Sequence, residues 1–164
     1  MIDVKTMNQA FLAANPEIRK KLKTKYDRSR PKVIVMSLKP KYAKAIYEGR
    51  KNWEFRKTPP PLFKEIYIYE SAPVSKITGK LIFTAEIRGL PSSVYEIAKS
   101  NRLFSRNLPG ITALELEEYA GRLNLVSALR VHRAERLDHT INLCAKPPQN
   151  WGTFRGHLKH GGAE

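Results

Sequence analysis

The sequence predicts an α+β protein with a mostly antiparallel sheet of about five to six strands and short flanking helices. Short apolar or alternating runs of strand type recur from Val33 onward, helix signals between them are brief, and no internal repeat organises the chain. With 164 residues, 41% of them hydrophobic, the chain can bury one ordinary core. One domain with extensions is therefore expected. A sheet of this size in so short a chain covers its edges best by curling into a small barrel.

Residues 1–32 read as a basic N-terminal extension, with nine basic and three acidic side chains. Asn15-Pro16-Glu17 is a helix start, with Asn as cap, Pro in the first turn and Glu near the positive helix end. Ile18, Leu22 and Tyr26 recur at spacing four, leaving Arg19, Lys20, Lys21, Lys23 and Lys25 outside. With Arg28 and Arg30 these cations form either a phosphate-contacting arm or a solvated helix face.

The domain proper is expected over residues 33–156. Val33–Met36 reads as a strand, Pro40 opens a helix with the apolar stripe Ala43, Ile46 and Tyr47, and Gly49 ends it. Asn52–Arg56 alternates with period two: Trp53 and Phe55 face a core, while Glu54 and Arg56 face outward. Thr58-Pro59-Pro60-Pro61 breaks that strand. Glu65–Glu70 forms the next strand, and Leu81, Phe83, Ala85 and Ile87 alternate along another after a turn at Thr78-Gly79. Ser93-Val-Tyr-Glu96 and Thr112-Ala-Leu-Glu115 each read as a capping box opening a short helix, the second ending at Gly121. Strand character resumes over Leu125–Leu137 and Thr140–Leu143, and Gln149–Phe154 closes the domain after a Lys146-Pro147-Pro148 break. Residues 157–164 read as a flexible tail, in which His157 and His160 precede Gly161-Gly162 and make no convincing metal pair.

Thirty Lys and Arg against fifteen Asp and Glu give a formal charge of +15, the footprint of a polyanion-binding protein. No apolar stretch reaches the roughly 20 residues that cross a bilayer, and the charges of the N-terminal segment follow its apolar patch, unlike a signal peptide. The single Cys144 cannot form an intrachain disulfide and is expected to be a small core filler, in keeping with a reducing cytoplasm. Phosphate loops, dinucleotide fingerprints, zinc-protease helices, nucleophile elbows and paired CxxC motifs are all missing from the sequence. No cofactor or metal is expected. His132 and His139 read as surface residues, and Trp151 as either a core plug or a wall of a binding cleft.

The segment Gly49-Arg50-Lys51-Asn52-Trp53-Glu54-Phe55-Arg56 combines a helix end with a strand bearing a carboxylate between cations. Glu54 and Arg56, two apart on one strand face, can pair with each other, and Lys51 can reach them. The spacing Gly49, Lys51, Glu54, Arg56 resembles the GxKxxExR signature of the ASCH domain, a PUA-like fold related to RNA-binding modules. Ser37–Ala43, Ile68–Val74, Ile77–Ile87, Thr112–Gly121, Ser127–Val131 and Pro147–Trp151 resemble further segments of that family, so the similarity covers about residues 33–155.

The resemblance implies a cleft at a barrel mouth that takes nucleic acid, RNA more readily than DNA, or a nucleotide. The residues implied to line it are Lys39, Arg50, Lys51, Glu54, Arg56, Tyr69, Ser71, Gln149 and Trp151. Lys51 and Arg56 would hold phosphate or carbonyl oxygens, Glu54 would accept from a base, and Tyr69 would offer a stacking face. The alternative for the motif is architectural, with Glu54 and Arg56 paired to hold the mouth closed. One branch of the family resembles an amidohydrolase of acetylated cytidine that uses a Lys and a Thr, but Glu54 stands where that Thr would be. Leu108-Pro109-Gly110 occupies the place of that branch's partner glutamate. A hydrolase acting on RNA or a modified nucleoside through Lys51 and Glu54 is the second reading, and an interaction module of a transcription or translation complex is the third.

Overall fold

The computed structural model describes residues 16–17, 32–104, 106–155 and 158–160. Pro16 and Glu17 are helical, as the Asn15-Pro16-Glu17 signal implies; the seven arm cations lie outside the described residues. The elements are β1 (Lys32–Leu38), α1 (Pro40–Tyr47), β2 (Trp53–Arg56), β3 (Glu65–Glu70), β4 (Lys76–Gly89), α2 (Pro91–Ser100), α3 (Ala113–Ala120), β5 (Val126–Leu143), β6 (Trp151–Arg155) and β7 (Leu158–His160). Among the described residues, no helix is long and apolar enough to cross a membrane.

The strands form one mixed sheet in the order β2-β5-β4-β3-β1-β6, with β7 paired to the far part of β5. All pairings are antiparallel except β1 with β3. The expected closure into a barrel does not occur, because the end strands β2 and β6 do not pair. β2 is only four residues long and runs toward Pro59, Pro60 and Pro61, which have no N–H to extend a ladder. Side chains span the gap instead. Arg56 Nη1 donates to Asn150 Oδ1 at 2.9 Å, and both Asn150 Nδ2 and Trp151 Nε1 donate to Thr58 O, at 2.9 and 3.2 Å.

Three apolar clusters hold the sheet. Met36, Leu38, Ile66, Ile68, Leu81 and Phe83 pack with Ala43 and Ile46 of α1. On β2 and the start of β5, Trp53, Phe55, Val126 and Ala128 pack with α2 and α3 through Val94, Ala98, Leu116 and Ala120. Val35, Tyr69, Ile77 and Ile141 form the third. Trp53 and Phe55 are thus core residues, as their alternation predicts.

Four local expectations are corrected. Thr78-Gly79 is not a turn: β4 runs through it, and Gly79 is required because Tyr47 and the Glu135 carbonyl occupy the space a Cβ would fill. Ser93 does not cap a helix, since α2 starts earlier with Pro91 at its first position after Leu90, and no side chain caps it. The box at Thr112 does form, with Thr112 Oγ1 accepting from Glu115 N and Glu115 returning the bond to Thr112 N. Cys144 is exposed rather than a core filler, because it follows the last strand residue of β5 into an open turn. Residues 158–160, read from sequence as part of a flexible tail, pair with Ile141–Leu143 as β7.

Candidate nucleic-acid interface

The signature residues are brought together by the handover from α1 to β2. Gly49 adopts φ +69° at the end of α1, which redirects the chain so that Arg50 N and Lys51 N both donate to Ala45 O, at 2.8 and 3.0 Å. β2 then pairs with β5 in the register Glu54 to Leu129 and Arg56 to Ser127. The face read from sequence as outward is covered: Lys51, Glu54 and Arg56 are 2%, 5% and 7% exposed.

They form a buried cation–carboxylate–cation row. Glu54 Oε2 lies 3.4 Å from Lys51 Nζ and Glu54 Oε1 lies 3.0 Å from Arg56 Nη2. Lys51 Nζ also donates to Trp53 O at 2.6 Å and Pro109 O at 2.8 Å, and sits over the rings of Phe55 and Tyr42 at 5.2 and 5.5 Å. Burial holds the Lys51 ammonium below its usual pKa, with Glu54 pulling the other way. Arg56 donates to Ser37 O at 2.8 Å as well as to Asn150, while its buried Nε has no partner. The row therefore ties β2 to β1, to the 148–151 segment and to the loop before α3. That is the architectural pairing the spacing allowed, extended to a third charge.

Other predicted residues fall at varied places. Lys39 is exposed at the start of α1, just after Ser37, whose carbonyl Arg56 holds. Ser71 is half-buried and its N–H donates to Leu38 O at 2.9 Å, beside Lys39. Gln149 is exposed next to Asn150, and Trp151 is half-buried against the first cluster. Each of the four is next or close in the chain to a residue that Arg56 holds, Lys39 to Ser37 and Gln149 and Trp151 to Asn150, or to Leu38 in the case of Ser71. Tyr69, 9% exposed, packs instead in the third cluster with Val35 and Ile77, and Arg50 lies at the opposite end of α1 from Lys39, paired with Glu48. His132 and His139 are exposed.

Sequence reasoning gave Asn150 no role of its own, although it is the side chain that joins Arg56 to Thr58. It read Gly110 only as part of the segment standing where a related branch has its partner glutamate; at φ +71° this residue crosses Lys51 so closely that a Cβ there would lie 2.6 Å from the Lys51 stem. Nothing in the spacing marks Asn150, because its partner is 94 residues away. The Pro109-Gly110 pair directly before a capping box was a readable sign of a tight approach. A second polar cluster also went unread: Thr78 donates to buried Glu70 at 2.6 Å and meets Tyr47 Oη at 2.9 Å. Burial pushes the Tyr47 phenol up to about 12.

An open mixed sheet with helices beside it, carrying a buried Lys-Glu-Arg row where a helix passes into an end strand, defines a PUA-like α+β module. The chain belongs to the ASCH domain family, whose model matches residues 36–143. It is similar in structure to the ASCH protein of Zymomonas mobilis, with a TM-score of 0.63 and 24% identity over 75% of this chain and 87% of that one. A single-residue variant of that protein matches with a TM-score of 0.62 and 25% identity over 76% and 89% of the two chains. No curated protein shows significant similarity to the chain.

Proposed function

We propose that this chain is a nucleic-acid-binding ASCH module that prefers RNA. The observation that carries the reading is the +15 formal charge on a 164-residue chain, because an excess of that size favours a polyphosphate partner. Membership of a family with a PUA-like fold, related to RNA-binding modules, supports RNA over DNA. The surface around Arg56, formed by Lys39, Ser71, Gln149, Asn150 and Trp151, receives the nucleotide. Arg19, Lys20, Lys21, Lys23, Lys25, Arg28 and Arg30 add phosphate contacts that do not read sequence.

Burial redefines what the signature does in this reading. Glu54 is held by two cations and Lys51 by two carbonyls and Glu54, so they position Arg56 and the 148–151 segment rather than touch the ligand. The row carries a net positive charge, and its free Arg56 N–H leaves the interior beneath the surface able to favour an anionic ligand.

The test is a titration of labelled single-stranded RNA and DNA between roughly 50 and 300 mM salt. RNA affinity is expected to fall by at least about tenfold across that range, with DNA weaker throughout. Lys39→Gln with Gln149→Ala, both exposed, is expected to weaken binding without changing thermal stability. Salt-independent binding, or no binding at all, overturns the reading.

A further inference from the structure

The face of β5 that covers the second apolar cluster carries Val126, Ala128 and then Arg130, opposite Trp53 of β2. A cation thus stands where the row would continue apolar. Its guanidinium carbon lies 5.5 Å from the Trp53 ring centre and 4.6 Å from that of Phe104, and the two rings meet edge to face at 5.7 Å. Arg130 Nη1 is buried without a hydrogen-bond partner. Among the described residues, no carboxylate forms an ion pair with Arg130 within 4.0 Å. Burial lowers its pKa, the expected cost of a charge held without a counter-charge.

The loop that carries Phe104 adds two exposed cations, Arg102 and Arg106, neither ion-paired among the described residues. Its place against the sheet is fixed. Asn52 Nδ2 donates to Arg106 O at 3.1 Å, and Asn52 O accepts from Val131 N, the residue after Arg130, at 3.0 Å. Trp53 Nε1 donates to Asn107 Oδ1 at 3.2 Å and Leu108 N to Asn52 Oδ1 at 2.8 Å. A guanidinium set against two aromatic rings is held in place by them, and its remaining N–H groups suit the oxygens of a phosphate.

We propose that Arg130, with Arg102 and Arg106, forms a second phosphate-binding surface for the nucleic-acid partner, on the Trp53 face of β2 opposite the Arg56 face. It rests on the nucleic-acid reading above and extends the interface around the end strand. Trp53 is fully buried, so this surface contacts the backbone and does not stack bases.

The experiment measures anisotropy of a labelled oligouridylate of about 15 nucleotides with the full chain at several salt concentrations. Arg130→Gln, and separately Arg102→Gln with Arg106→Gln, are each expected to weaken binding about 3–10-fold and to reduce the salt slope by about one contact per charge removed. Arg130→Lys, which keeps the charge, is expected to restore the slope. The Arg102/Arg106 variant changes only exposed side chains, so its loss of binding does not reflect unfolding. If the wild type binds and both glutamine variants match it in affinity and slope, this surface is overturned while the proposed function stands. If the wild type does not bind, both fall.

Discussion

Lys51 shows how a residue chosen for its charge can serve through its burial. Its ammonium is surrounded by two carbonyls, one carboxylate and two ring faces, so no donor remains for a ligand. Lys51→Met removes the cation and strands Trp53 O and Pro109 O, and is expected to cost about 3–5 kcal/mol of stability by denaturant unfolding. The pH dependence has a definite sign. The folded-state pKa of Lys51 lies below its usual 10.5, so between the two values the unfolded chain binds more protons and stability rises with pH. The penalty for Lys51→Met should therefore grow as pH rises through that window toward 10.5, and a penalty that shrinks would show that the buried ammonium is favoured. The sequence made Lys51, Glu54 and Arg56 legible as a group because spacing on a strand is local information. It could not show that a loop 58 residues away would roof them.

At the scale of the element, that roof is the turn into α3. Pro109 supplies the carbonyl for Lys51, Gly110 passes over the Lys51 stem, and the Thr112–Glu115 box starts the helix two residues later. Gly110→Ala combines an unfavourable backbone with a Cβ driven into that stem, and should destabilise the protein by at least about 1–3 kcal/mol in thermal or denaturant unfolding. A wild-type melting curve for that variant would mean that the loop does not press on Lys51. Elements were legible wherever one local signal dominated, as in the Pro40 start of α1, the alternation of β2 and the capping box at Thr112. They were misread where a residue's reason was tertiary. Gly79 looked like a turn glycine, yet it is the clearance under Tyr47; Ser93 looked like a cap, yet Pro91 had already begun the helix.

For the whole molecule, the sequence supported a small α+β sheet but not how that sheet ends, nor that its apolar residues divide into three clusters. A closed barrel was the economical expectation for edge strands; the molecule stays open and fastens its ends with the Arg56–Asn150–Thr58 chain of hydrogen bonds. Asn150→Ala leaves Arg56 Nη1 without its acceptor and should cost about 1–3 kcal/mol, with faster amide exchange concentrated in β2 and β6. Uniform exchange across all strands would show that Asn150 is no fastener. The pairing of β1 with β6 sets Lys32 opposite Arg155, joining the first strand of the domain to one of its last. During synthesis, then, β1 has no β6 partner until residues 151–155 have left the ribosome, and one edge of the half-made sheet stays unpaired until then. The early chain is thus exposed to wrong pairings until residue 155 has been made, a period in which its large excess of like charge helps to keep neighbouring nascent chains apart.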